Sequence, residues 1–269
     1  MRQAGAVVAD VLSKLQRLAV PGATTGHLDR VAMQMTAEAG AEALFKGVRN
    51  PQARRPFPGA ICASVNEQVV HGIPSDAAVL REGDILSIDF GVRLNGYCGD
   101  AALTIPIGGI SAENRQLIDV TREVLRIAIA GARPGVRWSQ IAGRMQRHAE
   151  SAGFSVVRDF VGHGIGTKMH EDPKVPNFVS DELLADDIVL VEGMVLAIEP
   201  MINAGTSAVR TLGNGWTVVT RDGRCSAHFE HTVAVVRGDC EVLTRTSKRQ
   251  ENGLAGETDR AATRREERG

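Results

Sequence analysis

Residues 80–89 read LREGDILSID, and residues 190–199 read LVEGMVLAIE. Leu, Glu, Gly, Leu and Ile coincide at an offset of 110, and each stretch ends on an acid, Asp89 or Glu199. A second match lies upstream. Pro21-Gly22 is followed by Gly40, and Pro134-Gly135 by Gly153, 19 positions after the proline in both cases and at an offset of 113. The residues between carry apolar side chains at helical spacing, Leu28, Val31, Ala32 and Met35 in one copy and Ile141, Met145 and Ala149 in the other. Chance could produce either match alone. Two matches in the same order with nearly equal offsets point to an internal duplication. Each half reads as a helix, a passage into a strand and a β-hairpin. This predicts an α+β protein whose two halves, related by a pseudo-two-fold axis, meet at one shared site.

Composition narrows the classes. The chain has 269 residues, 43% of them hydrophobic and 23% charged, enough to bury a sizeable core as one large domain or two small ones. A net charge of −1 offers no electrostatic footprint for nucleic acid or an anionic membrane, and 4% aromatics give little surface for stacking bases. No apolar run approaches the length of a membrane span. The first residues have helical spacing with Asp10 and Lys14 inside it, which no signal-peptide core carries. Cys62, Cys98, Cys225 and Cys240 lie far apart without a CxxC pair, so a disulfide scaffold or zinc knuckle is not indicated and a cytoplasmic location is expected. Ser247–Gly269 contains one large apolar residue, Leu254, among six basic and five acidic side chains, and reads as a disordered tail after a folded domain spanning 1–246.

The acids at the ends of the repeats carry the chemistry. Asp89 closes the apolar run Ile85-Leu86-Ser87-Ile88, and Asn95-Gly96 downstream is the preferred dipeptide for a type I′ hairpin turn. With those two residues as the turn, paired positions sum to 191, so Asp89 faces Ala102, Gly91 faces Asp100, and both acids share one face. Diagonal neighbours of this kind lie about 7–8 Å apart, within reach of one metal pair spaced about 3.5–4 Å. Two carboxylates on one apolar face require a cation if both are to stay ionised. Glu199, at the position equivalent to Asp89, Glu230 before the apolar run Thr232–Val236, and His163 among the glycines of GHGIG complete a hard, oxygen-rich donor set. Such a set suits Mn²⁺, Fe²⁺ or Co²⁺ better than a structural zinc. His27 and His148 fall on helices with polar neighbours and read as surface residues, His228 and His231 flank Glu230 and read as structural, and Gly213 and Gly215 read as loop residues.

Five segments, VNEQVVHGIP (65–74), SIDFGVRLNGYCGD (87–100), GHGIGTKMHEDP (162–173), AIEPMINAG (197–205) and Trp216–Glu230, resemble in order those of the type I methionine aminopeptidases, in the compact bacterial form, of peptidase family M24. The resemblance runs from about Met1 to Arg245. It implies the pita-bread fold, a curved antiparallel sheet with outer helices. It implies two divalent metal ions per chain (Co, Mn, Fe, Zn or Ni) on Asp89, Asp100, His163, Glu199 and Glu230. His71 and His170 become catalytic histidines outside the metal shell, Glu199 the proton acceptor, and Phe57, Cys62, His71, Met169, His170 and Trp216 the methionine-binding residues. Ordinary core packing is the competing account of Phe57 and Trp216. The implied activity is removal of N-terminal methionine from nascent polypeptides, at the ribosome, when the second residue is small. A monomer without membrane or specific nucleic-acid partners is expected.

Four positions depart from the family's usual pattern. Cys98 and Ala101 flank Asp100 where His and Thr are commoner, Met169 stands in place of Phe, and Phe57 in place of Tyr. The segment Arg49–Pro58 is unusually basic and proline-rich. A proline-directed peptidase of the same fold would share the ligands but typically carries an additional N-terminal domain. A catalytically silent module on ribosomes or RNA would usually have lost ligands, and here all five are present.

Overall fold

In the long hairpin formed by Ile85–Leu94 and Tyr97–Pro106, Asn95 and Gly96 have φ of 52° and 81°. Both are positive, as a type I′ turn demands, and this turn leaves one register open. Asp89 pairs with Ala102 and Gly91 with Asp100, as the sequence predicts. The computed structural model describes residues 1–245, so the tail expected at 247–269 lies outside the described residues.

The hairpin is part of a nine-stranded sheet among the described residues. Its main path runs Glu42–Ala43, Ile85–Leu94, Tyr97–Pro106, Glu230–Val236, Val195–Ile198, Gly162–Gly164 and Glu171–Val175. Ile61–Val65 also pairs with Ile85–Leu94, and Asp239–Val242 with Glu230–Val236. All these pairings are antiparallel. The two halves of the chain meet where Tyr97–Pro106 adjoins Glu230–Val236. The pairing at that seam is short: Glu230 with Ala102, and His231 with Ala101.

Four long helices pack on the sheet, Arg2–Leu18 and Thr25–Glu38 from the first half, Ala112–Gly131 and Trp138–Ser151 from the second. Thr24 and Ser111 cap two of them by accepting hydrogen bonds from the amides of His27 and Asn114. Each half has its own apolar core. In the first, Val8, Val11, Leu12 and Leu15 pack against Leu86, Ile88 and Phe90. In the second, Leu117, Val124 and Leu125 pack with Trp138, Ile141, Leu196 and Ile198. Trp138 is fully buried, and its indole N–H donates to the carbonyl of Pro176 at 2.7 Å, so its one polar group is satisfied.

The duplication is also written in the backbone. Gly22 and Gly135 have φ of 91° and 84°, Gly40 and Gly153 of 64° and 84°, Gly83 and Gly193 of 93° and 95°. These are left-handed turns that a Cβ would strain. The Gly22 amide donates to Leu80 O at 2.8 Å, and the Gly135 amide to Leu190 O at 2.7 Å. Bridges Thr24–Val79 and Arg137–Val189 repeat the same tie. Among the described residues no helix is long and apolar enough to cross a membrane.

Candidate metal centre and substrate pocket

Asp89, Ala102 and Glu230 lie in one row across three strands, because Ala102 pairs with Asp89 on one side and Glu230 on the other. Directly paired residues share a face, so the small alanine between them leaves room above it for two carboxylates. Asp100 lies diagonally from Asp89 on the same face of the hairpin. Its backbone is held across the seam by Thr232. The Asp100 amide donates to Thr232 Oγ1 at 2.9 Å, and that hydroxyl donates to Asp100 O at 2.7 Å. Opposite Asp100 is Gly91, where a Cβ would sit 2.9 Å from Asp100 Oδ1.

The second half supplies the rest. His163, in the strand Gly162–Gly164, is placed by pairing with Ala197. Its Nδ1 is 2.8 Å from Gly164 O. A carbonyl can only accept, so Nδ1 carries the proton and Nε2 keeps a free lone pair, the arrangement a metal-binding imidazole needs. That Nε2 is 3.5 Å from Glu199 Oε1. Glu199 ends the strand run, and its carbonyl accepts a hydrogen bond from the Asn177 amide at 3.1 Å. Donor atoms of Asp100, His163 and Glu230 all lie within 4.8 Å of one another. Asp89 and Glu199 flank that trio in the same cavity.

Electrostatics show what the cluster lacks. Asp89 Oδ1, Asp100 Oδ1 and Glu230 Oε1 are buried without a hydrogen-bond partner. Burial pushes the Asp100 carboxyl up to about 7, even though the Ala101 amide and Asp89 both lower it. Burial, then the neighbouring acids, push Asp89, Glu199 and Glu230 well above the usual carboxylate range. Among the described residues no lysine or arginine lines the cavity. Four acids, three of them with a buried orphaned oxygen, and no cationic side chain among them form a cradle for multivalent positive charge, and the oxygen-plus-imidazole donor set fits a divalent metal.

His71 and His170 stand beside this cluster. His71 has φ of 58°, a left-handed conformation uncommon for a side chain of this kind, and its ring meets Phe160 and Trp216 edge-on at 5.5 and 6.4 Å. Burial, then His170, lowers its pKa to about 4. The His170 ring lies 4.4 Å from that of His163, its pKa is also lowered by burial, and it is exposed to the cleft. His228 is buried with Nε2 3.9 Å from Glu199 Oε2, and Thr104 Oγ1 accepts from its amide at 2.8 Å. His231 turns the other way, its Nδ1 2.9 Å from Thr244 Oγ1. His27 is exposed and His148 half-buried on their helices.

Phe57, Cys62, Met169 and Trp216 gather at the apolar end of the same cavity, whose volume is about 200 Å³. Phe57 and Trp216 rings meet at 5.2 Å and 72°. All eleven residues singled out from the sequence line this one cavity. Phe45 and Val48 also line it and were not foreseen. They sit outside regular strands, where no periodicity marks the side a residue faces. A wider recess runs outward from His71, His170 and Glu199 past Phe160, Lys168 and Lys174.

A half-and-half sheet with a buried acidic donor set at its seam defines a metal-dependent hydrolase, and residues 1–237 match the model of metallopeptidase family M24. The chain is 49% identical over 244 residues to the methionine aminopeptidase of Clostridium acetobutylicum, covering 91% of this chain and 94% of that protein. The Escherichia coli K12 methionine aminopeptidase is 39% identical over 245 residues, 91% of this chain and 89% of its own length. The crystal structure of methionine aminopeptidase from Thermotoga maritima superposes with a TM-score of 0.85 at 40% identity, covering 91% of this chain and 95% of that one. Prolidase from Pyrococcus furiosus, at 20% identity and a TM-score of 0.67 over 92% of this chain and 63% of its own, shares the fold alone. The chain belongs to metallopeptidase family M24 and, within it, to the type I methionine aminopeptidases of compact bacterial form. Membership carries use of a divalent metal.

Gly91→Ala tests the cradle. The added methyl should push the Asp100 carboxylate aside, lowering metal affinity about tenfold or more by calorimetry while the circular dichroism spectrum is unchanged. Wild-type affinity in this variant would show that Asp100 does not hold metal where it stands.

Proposed function

We propose that this protein removes N-terminal methionine from nascent polypeptides whose second residue is small, using two divalent ions held by Asp89, Asp100, His163, Glu199 and Glu230. Asp100 and Glu230, one from each half, would both contribute carboxylate oxygens to the metal site. Bound there, the ions supply Lewis acidity and a water nucleophile active near neutral pH. Glu199 would accept a proton from the attacking water on a carboxylate oxygen. His170, held neutral by its surroundings and open to the cleft, donates its ring N–H to the oxygen on which negative charge develops. His71 hydrogen-bonds the scissile amide and assists the departing nitrogen. Phe57, Cys62, Met169 and Trp216 grip an unbranched apolar side chain, to which a polarizable, sulfur-lined wall is suited. Action as a cytoplasmic monomer on chains leaving the ribosome is part of the same proposal.

The observation that carries this reading is the continuity of the cavity. Within about 200 Å³ it joins a buried acidic cluster to an apolar end of the right character for one side chain, with His71 and His170 between them. Those two rings crowd the place of the scissile bond and leave little room for the next side chain. Met-Ala-Ser is therefore expected to exceed Met-Lys-Ser by about 10²-fold or more in kcat/KM, because a displaced carbonyl loses its near-attack geometry. Comparable values would overturn the second-residue claim, and preferential cleavage of Xaa-Pro peptides would point to a proline-directed enzyme instead.

A further inference from the structure

The outer wall of the apolar pocket comes from a stretch with no helix or strand of its own. The Gly47 amide donates to Phe57 O at 2.8 Å and the Phe57 amide to Val48 O at 2.8 Å, closing a neck from which residues 48–56, VRNPQARRP, leave the fold and to which they return. Inside this strap, Asn50 Oδ1 accepts from the Gln52 amide at 3.0 Å, and Asn50 O from the Ala53 amide at 3.0 Å. Among the described residues, its hydrogen bonds to the rest of the protein beyond the neck run to one turn of the second half. Asn50 Nδ2 donates to Gly215 O at 2.9 Å, and Trp216 Nε1 donates to Arg55 O at 2.9 Å. Strap and turn touch backbone to backbone. A Cβ on Gly215, whose φ is already 76°, would sit 2.5 Å from Ala53 Cα and from Gln52 O.

The strap presents two side chains to the pocket. Ala53 packs on the cluster of Phe45, Phe57, Cys62 and Trp216, and Val48 lines the cavity while remaining 38% exposed at its mouth. Arg49, Arg54 and Arg55 are exposed and, among the described residues, form no ion pair. With so little burial, the conformation of the strap depends on its ties to the turn.

We propose that residues 48–56 are a specificity-determining wall of the pocket for the substrate's first side chain, and that the Asn50 amide is the positioning group that latches this wall to the Gly215–Trp216 turn. The proposal rests on assigning that pocket to the first residue. A latched wall is preorganised, so methionine binds without first ordering it, and a branched side chain meets a surface that does not yield. Released, the wall must be ordered by the substrate itself. Binding weakens, discrimination between methionine and leucine narrows, and the reacting groups, to which the strap makes no hydrogen bond among the described residues, work as before.

Asn50→Asp separates the latch from the strap's own turn. It keeps an oxygen to accept from the Gln52 amide but has no N–H for Gly215 O. The expected result is a KM for Met-Ala-Ser raised about tenfold with kcat within about twofold, a Met-to-Leu preference narrowed about tenfold, and trypsin cleavage after Arg54 accelerated about tenfold at an unchanged melting temperature, as loss of one such hydrogen bond allows. Asn50→Ala should match it. Val48→Ala should raise KM without faster cleavage by trypsin, and it keeps the wall testable if the Asn50 variants fold poorly. Faster cleavage with wild-type KM and Met-to-Leu ratio would overturn the wall, and wild-type behaviour of Asn50→Asp in all three readouts would overturn the latch. A fall in kcat at unchanged KM would overturn both. A wild-type enzyme inactive on Met-Ala-Ser would instead remove the pocket assignment on which the proposal stands.

Discussion

Exhaustive chelation is expected to abolish cleavage of Met-Ala-Ser, a loss of about 10³-fold or more, and Mn²⁺ or Co²⁺ to restore it. The ground is the donor set: four acids, three of them with a buried orphaned oxygen, around one imidazole, with no cationic side chain among the described residues that line the cavity. Full activity with the absence of metal verified by emission spectroscopy would defeat it. The metal-free protein should also respond to pH in a particular direction. Burial raises Asp100 from 3.8 to about 7, so the stability contributed by its neutral form is present below about pH 4 and is lost as pH rises through about 7. Buried His71 and His163 are lowered from 6.5 to about 4, and His228 to about 3, so their contribution is present above 6.5 and lost as pH falls toward those values. The two effects oppose each other between about pH 4 and 6.5, and above that range the acids act alone. The melting temperature of the metal-free protein is therefore expected to fall from about pH 6.5 to 8.5, and saturating Mn²⁺ to remove that slope. A metal-free melting temperature that rose over this interval would contradict the assignment of the acids.

His170→Ala is expected to lower kcat by about 10²–10³-fold while leaving metal content unchanged, as loss of an oxyanion donor does. Its ring packs against that of His163 but is open to the cleft, whereas His163 directs Nε2 toward Glu199 and is buried. Asp100→Asn should behave oppositely, losing metal occupancy while the hairpin persists, because it removes charge from the cluster and leaves the strand ladder intact. Stripping of the metal by His170→Ala would show the two histidines in exchanged roles.

Where local chemistry leaves one solution, the sequence was readable to the residue. Asn95-Gly96 permits one tight turn, and that turn determines which face Asp89 and Asp100 share. The glycine pairs of the repeat were legible because each stands where the backbone turns left-handed. The donor residues could be named, but their convergence depends on strands distant in the chain, and the roles of His71 and His170 came from resemblance. Other features left no signal. Phe45 and Val48 face the cavity from irregular backbone, Thr232 acts through a hydroxyl that a strand pattern counts only as polar, and Asn50 finds its acceptor 165 residues away. Such contacts are decided by packing between halves, which periodicity within a half does not encode.

The short seam between Tyr97–Pro106 and Glu230–Val236 makes the donor set a property of assembly. Asp89 and Asp100 belong to one half, while His163, Glu199 and Glu230 belong to the other, and neither alone offers a complete shell. Metal held there would therefore work as a clasp across the join, favouring the closed arrangement by an amount that grows with free metal concentration. Each half retains its own apolar core, so such a clasp would join two separately packed bodies.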